Sequence, residues 1–352
     1  MSFARSRNGR YTYGTMHDRE KTAERLRRAP GFVAVSAATV TLAYRAGILA
    51  WPKAPLLAAL KLPLLAGLAV GLAIEAKAAF AVRPEDRPVA ATPGGGAAAD
   101  DLLDALAVFA AAMLGYLAIA RLGLNAVLAS SFLGLAGALL LPKRAVAIYC
   151  GSFAGMAAPA AFETLASVAL SGALAGAVYA SCKPCFAGIG GRLGAAAYAG
   201  SLGSSLILGV RLTGDELPGL GLGLAILGYA VAGAALTWGV SVRLGRGPVL
   251  ASAFWGAVAG AVIPALHGPA AGRLLDAAFF CGGFAGMSAA SRLRNEAEAG
   301  VAGAFCGLTF ILAMPWLGGA GGKLGTLAFG STLAYLGLRE TVRRARARLR
   351  RR

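Results

Sequence analysis

Apolar runs follow one another from Gly31 to Leu338, and only a few polar residues separate each run from the next. A helix needs roughly 17–25 apolar residues to cross a bilayer core of about 30 Å. On that measure the pattern predicts twelve spans, at about 31–51, 55–75, 102–120, 124–142, 145–162, 164–181, 193–211, 219–242, 248–266, 274–291, 297–316 and 323–340. A soluble α/β protein would place helices with a polar face between its apolar runs, and these are missing. The expected fold is an all-α integral membrane protein, a polytopic helical bundle of about 12 transmembrane helices. Its first two spans form an N-terminal hairpin over 31–75. They carry Arg45 and Lys61, whose long stems are expected to snorkel to an interface. Pro84, Pro88, Pro93 and Gly94-Gly95-Gly96 mark 76–101 as a Pro/Gly/Ala-rich linker.

The runs also repeat. Cys150-Gly151-Ser152-Phe153-Ala154-Gly155-Met156 returns as Cys281-Gly282-Gly283-Phe284-Ala285-Gly286-Met287, an offset of 131 residues. At the same offset Pro184 matches Pro315, and Gly188-Ile189-Gly190-Gly191-Arg192-Leu193-Gly194 matches Gly319-Ala320-Gly321-Gly322-Lys323-Leu324-Gly325. Upstream, Val127-Leu128-Ala129-Ser130-Ser131-Phe132 matches Val249-Leu250-Ala251-Ser252-Ala253-Phe254 at 122, which places an insertion near His267. Each copy covers five predicted spans, 102–211 and 219–340. An odd number turns the second copy upside down in the membrane, so the expected core is a 5+5 inverted repeat, the layout of many transporters.

Composition sharpens the membrane assignment. Of 352 residues, 57% are hydrophobic and 14% charged, and 50 are glycine, which suits closely approaching membrane helices. The net charge of +18 sits mostly at the ends: residues 1–30 hold eight basic and three acidic side chains, and residues 339–352 hold eight basic and one acidic. No basic-aromatic platform accompanies them, so nucleic acid is not an expected partner. The expected partners are the lipid bilayer, with anionic headgroups at both basic termini, and a small solute; a homo-oligomer is compatible with the pattern. With both termini cytoplasmic, the inner loops carry eleven basic residues and the outer loops five, in keeping with the excess of cations on cytoplasmic loops. No cleavable signal-peptide pattern precedes the first run. The expected location is a bacterial inner membrane, with 1–30 and 341–352 as cytoplasmic basic segments.

Few residues carry recognisable chemistry. Gly190, Gly191 and Arg192, with their counterparts Gly321, Gly322 and Lys323, follow a proline and open a new apolar run. Successive glycine N–H groups at a helix start, beside a cation, suit an anion; the plainer alternative is a tight turn with an interfacial cation. Gly151 and Gly155, and again Gly282 and Gly286, stand four apart, the spacing of a close helix crossing. They are expected to form a seam where the two halves meet, or else a broken helix whose freed carbonyls line a path, with Pro159 favouring a kink in the first copy only. Cys182-Lys183-Pro184-Cys185 has CxxC spacing, and Lys183 would depress a thiol pKa there, but two thiols complete no metal site. Glu163, Asp104 and Asp276 lie near the ends of spans, where interfacial placement is expected; Glu163 is also a candidate for proton or cation coupling. No cofactor is expected, and no nucleotide-binding or nucleophile motif occurs.

The function these features favour is secondary transport, or channel-like permeation, of a small solute, with anions among the expected cargoes, and no enzymatic activity. The rivals are a non-catalytic membrane scaffold or assembly factor and a membrane-embedded lipid-modifying enzyme. Glycine loops converging on a polar midplane cavity would favour transport, and a sealed apolar core the scaffold. A cavity opening at one interface beside Glu163, Asp104 or Asp276 would favour the enzyme.

Overall fold

A computed structural model describes residues 9–48, 55–80 and 96–351. The chain is all-helical, 79% helix, and the described residues contain no strand. The described residues form twelve helices, α1 (Gly9–Ile48), α2 (Pro55–Phe80), α3 (Gly96–Leu122), α4 (Ala126–Leu140), α5 (Ala145–Gly155), α6 (Leu165–Cys182), α7 (Arg192–Leu208), α8 (Leu220–Trp238), α9 (Pro248–His267), α10 (Pro269–Gly286), α11 (Glu296–Ala313) and α12 (Lys323–Leu349). A π-helical turn, Gly239–Arg243, extends α8. Six segments are long and apolar enough to cross a membrane: Lys61–Phe80, Ala98–Leu122, Leu165–Cys182, Leu220–Arg243, Pro248–His267 and Glu296–Ala313. This is the composition of a membrane-embedded helical protein.

Local chemistry sets most helix ends. Asn125, Thr164 and Asn295 cap α4, α6 and α11 by accepting N–H groups of the first turn at 2.9, 3.2 and 2.9 Å. Proline opens α9 and α10, where its missing N–H costs nothing. Several boundaries differ from the hydrophobic pattern. The expected span 145–162 stops at Gly155, so α5 has 11 residues and rises only about 16 Å, roughly half a bilayer core. The expected span 274–291 begins five residues earlier, at Pro269, and ends at Gly286. Both basic segments continue helices: α1 starts at Gly9, and α12 runs through the arginine tail, where Glu340 pairs with Arg343 and Arg344 one turn on, each at 2.7 Å. Of the linker expected over 76–101, only 81–95 lies between helices, outside the described residues. Lys61 does not snorkel: it is 2% exposed.

Glycines carry the close contacts, and they do so inside each half. Added Cβ atoms on Gly151 and Gly155 would overlap the backbone of α3 at Val108 and Ala112. On Gly282 and Gly286 they would overlap α8 at Ala230 and Ala234. The seam of the Gly-x-x-x-Gly faces therefore joins α5 to α3 and α10 to α8, and not one half to the other as expected. The halves meet elsewhere. Helices α7 and α12 cross at Gly194 and Gly325, where a Cβ on either would stand 2.5–2.6 Å from the other's Cα. Gly191 faces Ala328 and Phe329 while Gly322 faces Ala197 and Tyr198, so the two helices run in opposite directions through the crossing. The same sense holds for α4 and α9, where Gly256 faces Ser131 and Gly260 faces Leu128. Tyr149, Phe153, Phe280 and Phe284 fill the centre, with Phe153 and Phe284 ring centroids 4.6 Å apart. Outside this core, α2 lies on α12 through Gly67 and Gly337, and α1 lies against α6 at Gly31.

A side chain at a backbone-to-backbone contact cannot relax without parting the helices. Gly282→Ala is expected to lower stability in detergent by about 1–3 kcal/mol. Gly221→Ala, on α8 with nothing within 4 Å of an added Cβ, is expected to leave it unchanged or slightly raised; thermal unfolding of the two variants checks the seam.

Candidate functional site

The two glycine-rich turns have the same backbone shape. Phe186 and Leu317 take φ of +57° and +52°, Gly188 and Gly319 +73° and +86°, and Gly191 and Gly322 +83° each. Left-handed φ is cheap only for glycine, which is why the motif has it at 188, 191, 319 and 322; Phe186 and Leu317 adopt it as side-chain-bearing residues. Each turn presses on the end of the short-motif helix from the other half. The turn before α12 sits against the last carbonyls of α5, Phe153 and Ala154, at Gly321; the turn before α7 sits against Phe284 and Ala285 of α10, at Gly190. Two equivalent hydrogen bonds tie the junctions, Ala158 N–H to Gly319 O and Ala289 N–H to Gly188 O, both 2.9 Å. Negative helix ends thus meet positive helix starts across the halves, a favourable alignment of backbone dipoles. Both α5 and α10 stop at the motif, so the break is not confined to the copy with Pro159. The junctions differ in one group: Ser288 Oγ accepts the Gly190 N–H at 3.0 Å, whereas Ala157 stands at the equivalent place beside Gly321.

The paired cations are committed to carbonyl oxygens. Arg192 donates to Lys183 O and Cys185 O, both at 2.9 Å, and Lys323 donates to Ala313 O and Trp316 O at 2.8 and 2.7 Å. Each cation caps the helix that precedes its own turn, where carbonyls lack intrahelical partners. This geometry favours the interhelical turn over a free anion site.

A cavity of about 520 Å³ opens beside the turn before α12. It lies between the end of α3, the starts of α4, α10 and α12, and the turn from Gly318 to Lys323. Phe153 and Phe284 form its inner wall and Met156 its side. Arg273 and Asp215 stand exposed at its margin; Asp276 is 1% exposed and accepts from the Asn125 side-chain amide. Asn125 does double duty, since its oxygen caps α4. Asp215 is held by backbone pairing of the 213–215 segment with 314–318, including Asp215 N–H to Met314 O at 2.9 Å.

Of the residues singled out by sequence, Gly322 and Lys323 line this cavity. Gly190, Gly191 and Arg192 belong to the other junction. Gly151, Gly155, Gly282 and Gly286 are spent on helix contacts. Glu163 is exposed in a separate hollow with Arg211. Asp276 is buried on the second turn of α10 and lines the same cavity. Asp104 is also buried, ion-paired with Arg144 at 2.7 Å and with Lys183. Asn125 is a residue that the sequence reading missed, since nothing local announces that it meets a carboxylate 151 residues away.

All five cysteines are buried free thiols. Cys150 and Cys281 make equivalent S–H contacts to Leu193 O and Leu324 O at 3.3 and 3.2 Å. Lys183 points its ammonium at Asp101, 2.8 Å away, and at Asp104, so the expected thiolate activation in the CxxC is absent. Burial instead pushes the Cys185 thiol above its ordinary value. No group of three metal-ligating side chains occurs among the described residues.

The chain matches no protein-family model, no curated protein and no solved structure. The geometry makes one chemical prediction for its thiols: in the folded protein, a membrane-impermeant maleimide at neutral pH leaves all five unmodified, and denaturation exposes them. Rapid labelling of Cys185 in intact protein would contradict its burial.

Proposed function

We propose that the chain is a multi-pass transporter of a small polar solute in a bacterial inner membrane, with twelve spans, both termini cytoplasmic and a core of two inverted five-helix repeats. The observation that carries this reading is the cavity of about 520 Å³ beside the glycine turn before α12, apolar over most of its wall but bearing Asn125, Asp215, Arg273, Asp276 and Lys323. Antiparallel crossing of the equivalent pairs α7/α12 and α4/α9 supports a twofold axis in the membrane plane. In this topology the cavity faces outward, and the opposite side carries the ion pairs Asp104–Lys183, Glu75–Arg292 and Glu298–Arg339. These pairs would hold the inner face shut, and the central aromatic cluster with them. An inward-open state would break them and move the vacant space to the turn before α7. Arg273 and Lys323 balance Asp215 and Asp276 across the cavity, which suits a polar, neutral or zwitterionic solute better than a simple anion.

A second reading has one observation in its favour. A cavity open at one end and bearing Asp276 is also what a membrane-embedded enzyme acting on lipids would present. The cavity offers that enzyme no histidine, cysteine or metal-ligating cluster beside the carboxylate, and transport remains the better account.

In proteoliposomes tested with anions, cations and neutral polar solutes, at least one solute is expected to show saturable uptake above protein-free vesicles. Met156→Cys, alkylated from outside by an impermeant maleimide, is expected to lose at least nine-tenths of that uptake. Saturable uptake insensitive to this block would place the path elsewhere, and no uptake of any solute would leave the scaffold or enzyme. Combined Arg192→Gln and Lys323→Gln tests the anion: unchanged rate and selectivity would remove anion recognition by the turns.

A further inference from the structure

On the other side of Leu327 from the large cavity, a small hollow of about 40 Å³ lies between α1, α2, α11 and α12. Lys61 lines it, is 2% exposed, and its ammonium has no hydrogen-bond or ion-pair partner. The other polar groups around the hollow are the hydroxyls of Thr39, Thr309, Thr326 and Ser331, and the rest of its wall is leucine, alanine and glycine. Thr39, Thr309 and Thr326 each have a backbone carbonyl of their own helix in reach, at 2.8, 2.9 and 3.1 Å. Ser331 shares a 2.8 Å hydrogen bond with Thr309 Oγ1 in which either hydroxyl can donate; when Thr309 donates, the Ser331 proton can turn toward the hollow. A buried cation needs a counter-charge or the loss of its proton, because its desolvation is otherwise uncompensated. No carboxylate lines the hollow. Its one formal charge is the Lys61 ammonium, an excess of positive charge that a small anion would neutralise.

We propose that this hollow binds one small monovalent anion of the halide class, held by the Lys61 ammonium and the Ser331 hydroxyl between the N-terminal hairpin and the core. The size sets the class. A space of this measure takes roughly two or three water-sized probes, enough for a halide and too little for a phosphate, a sulfate or an organic acid. The single positive charge matches a single negative one. The site is structural: the anion joins α2 to α11 and α12, and neither Lys61 nor Ser331 lines the large cavity.

The test uses the full chain, purified in detergent without halide, with chloride as the probe and gluconate replacing it at constant ionic strength. Chloride is expected to raise the unfolding temperature saturably, by several degrees, and bromide to do the same. Lys61→Met is expected to abolish this dependence and to match or exceed the wild type's stability in gluconate, since it removes an unpaired buried charge. If Lys61→Met cannot be purified, Ser331→Ala is expected to shift the chloride titration to at least several-fold higher concentration. A wild type indifferent to chloride, which would mean that Lys61 is buried uncharged or solvated by water alone, overturns the proposal. So does a Lys61→Met protein with the wild-type chloride response, or a Ser331→Ala titration that does not move. Protein blocked at Met156→Cys is expected to keep the chloride effect, which separates this site from the transport path.

Discussion

Backbone-to-backbone contact across the two halves is the constraint on which the rest of the structure depends. Helix ends left open in mid-protein have carbonyls and N–H groups without intrahelical partners, and in an apolar medium each such group is costly. Here the carbonyl end of α5 meets the turn that starts α12, and the carbonyl end of α10 meets the turn that starts α7. Only glycine at Gly190 and Gly321 lets these ends approach, and only left-handed backbone at Gly191 and Gly322 turns the chain into the next helix. Arg192 and Lys323 complete the arrangement by capping the helix on the near side. Two motifs that look independent in the sequence are the two sides of one joint.

That joint also explains the asymmetry of the cavity. Both junctions have nearly the same backbone, yet Ser288 closes the N–H of Gly190 and Ala157 leaves no such group beside Gly321. Around the α7 turn, Phe186 fills space by stacking on Phe32 of α1 at 4.7 Å and meeting Phe329 edge-on at 4.9 Å. Leu317, its equivalent, has no aromatic ring to do this. The N-terminal hairpin thus packs one face of a nearly symmetric core and leaves the other face open. Ion pairs on the packed side add a polar clasp of which only the buried members, Asp104 and Glu75, contribute much, since exposed pairs are worth little.

Buried polar groups divide the chain into resolved and unresolved problems. Asp104 and Glu75 have cations, Asp276 has an amide, and the Cys150 and Cys281 thiols have carbonyls. Lys61 has nothing. Among the described residues, its ammonium is a buried charge with neither counter-charge nor hydrogen bond, and it faces the small hollow between the hairpin and the core.

Apolar run lengths by themselves determined that the chain is helical and membrane-embedded, and the 131-residue echo located both glycine turns before any coordinate was known. These are local properties, carried by composition and spacing. Run length overestimated α5, because hydropathy does not register that the last carbonyls of the helix, at Phe153 and Ala154, lie against Gly321 of another segment and the helix can stop. Nor did the Gly-x-x-x-Gly spacing say which helix it faced, since a small-residue stripe specifies closeness and not a partner. The tertiary structure alone decided that Asn125 meets Asp276, that Lys183 serves aspartates and not thiols, and that Lys61 is enclosed. Each depends on residues far apart in sequence, and the cost of burying a polar group is set by what lies across from it.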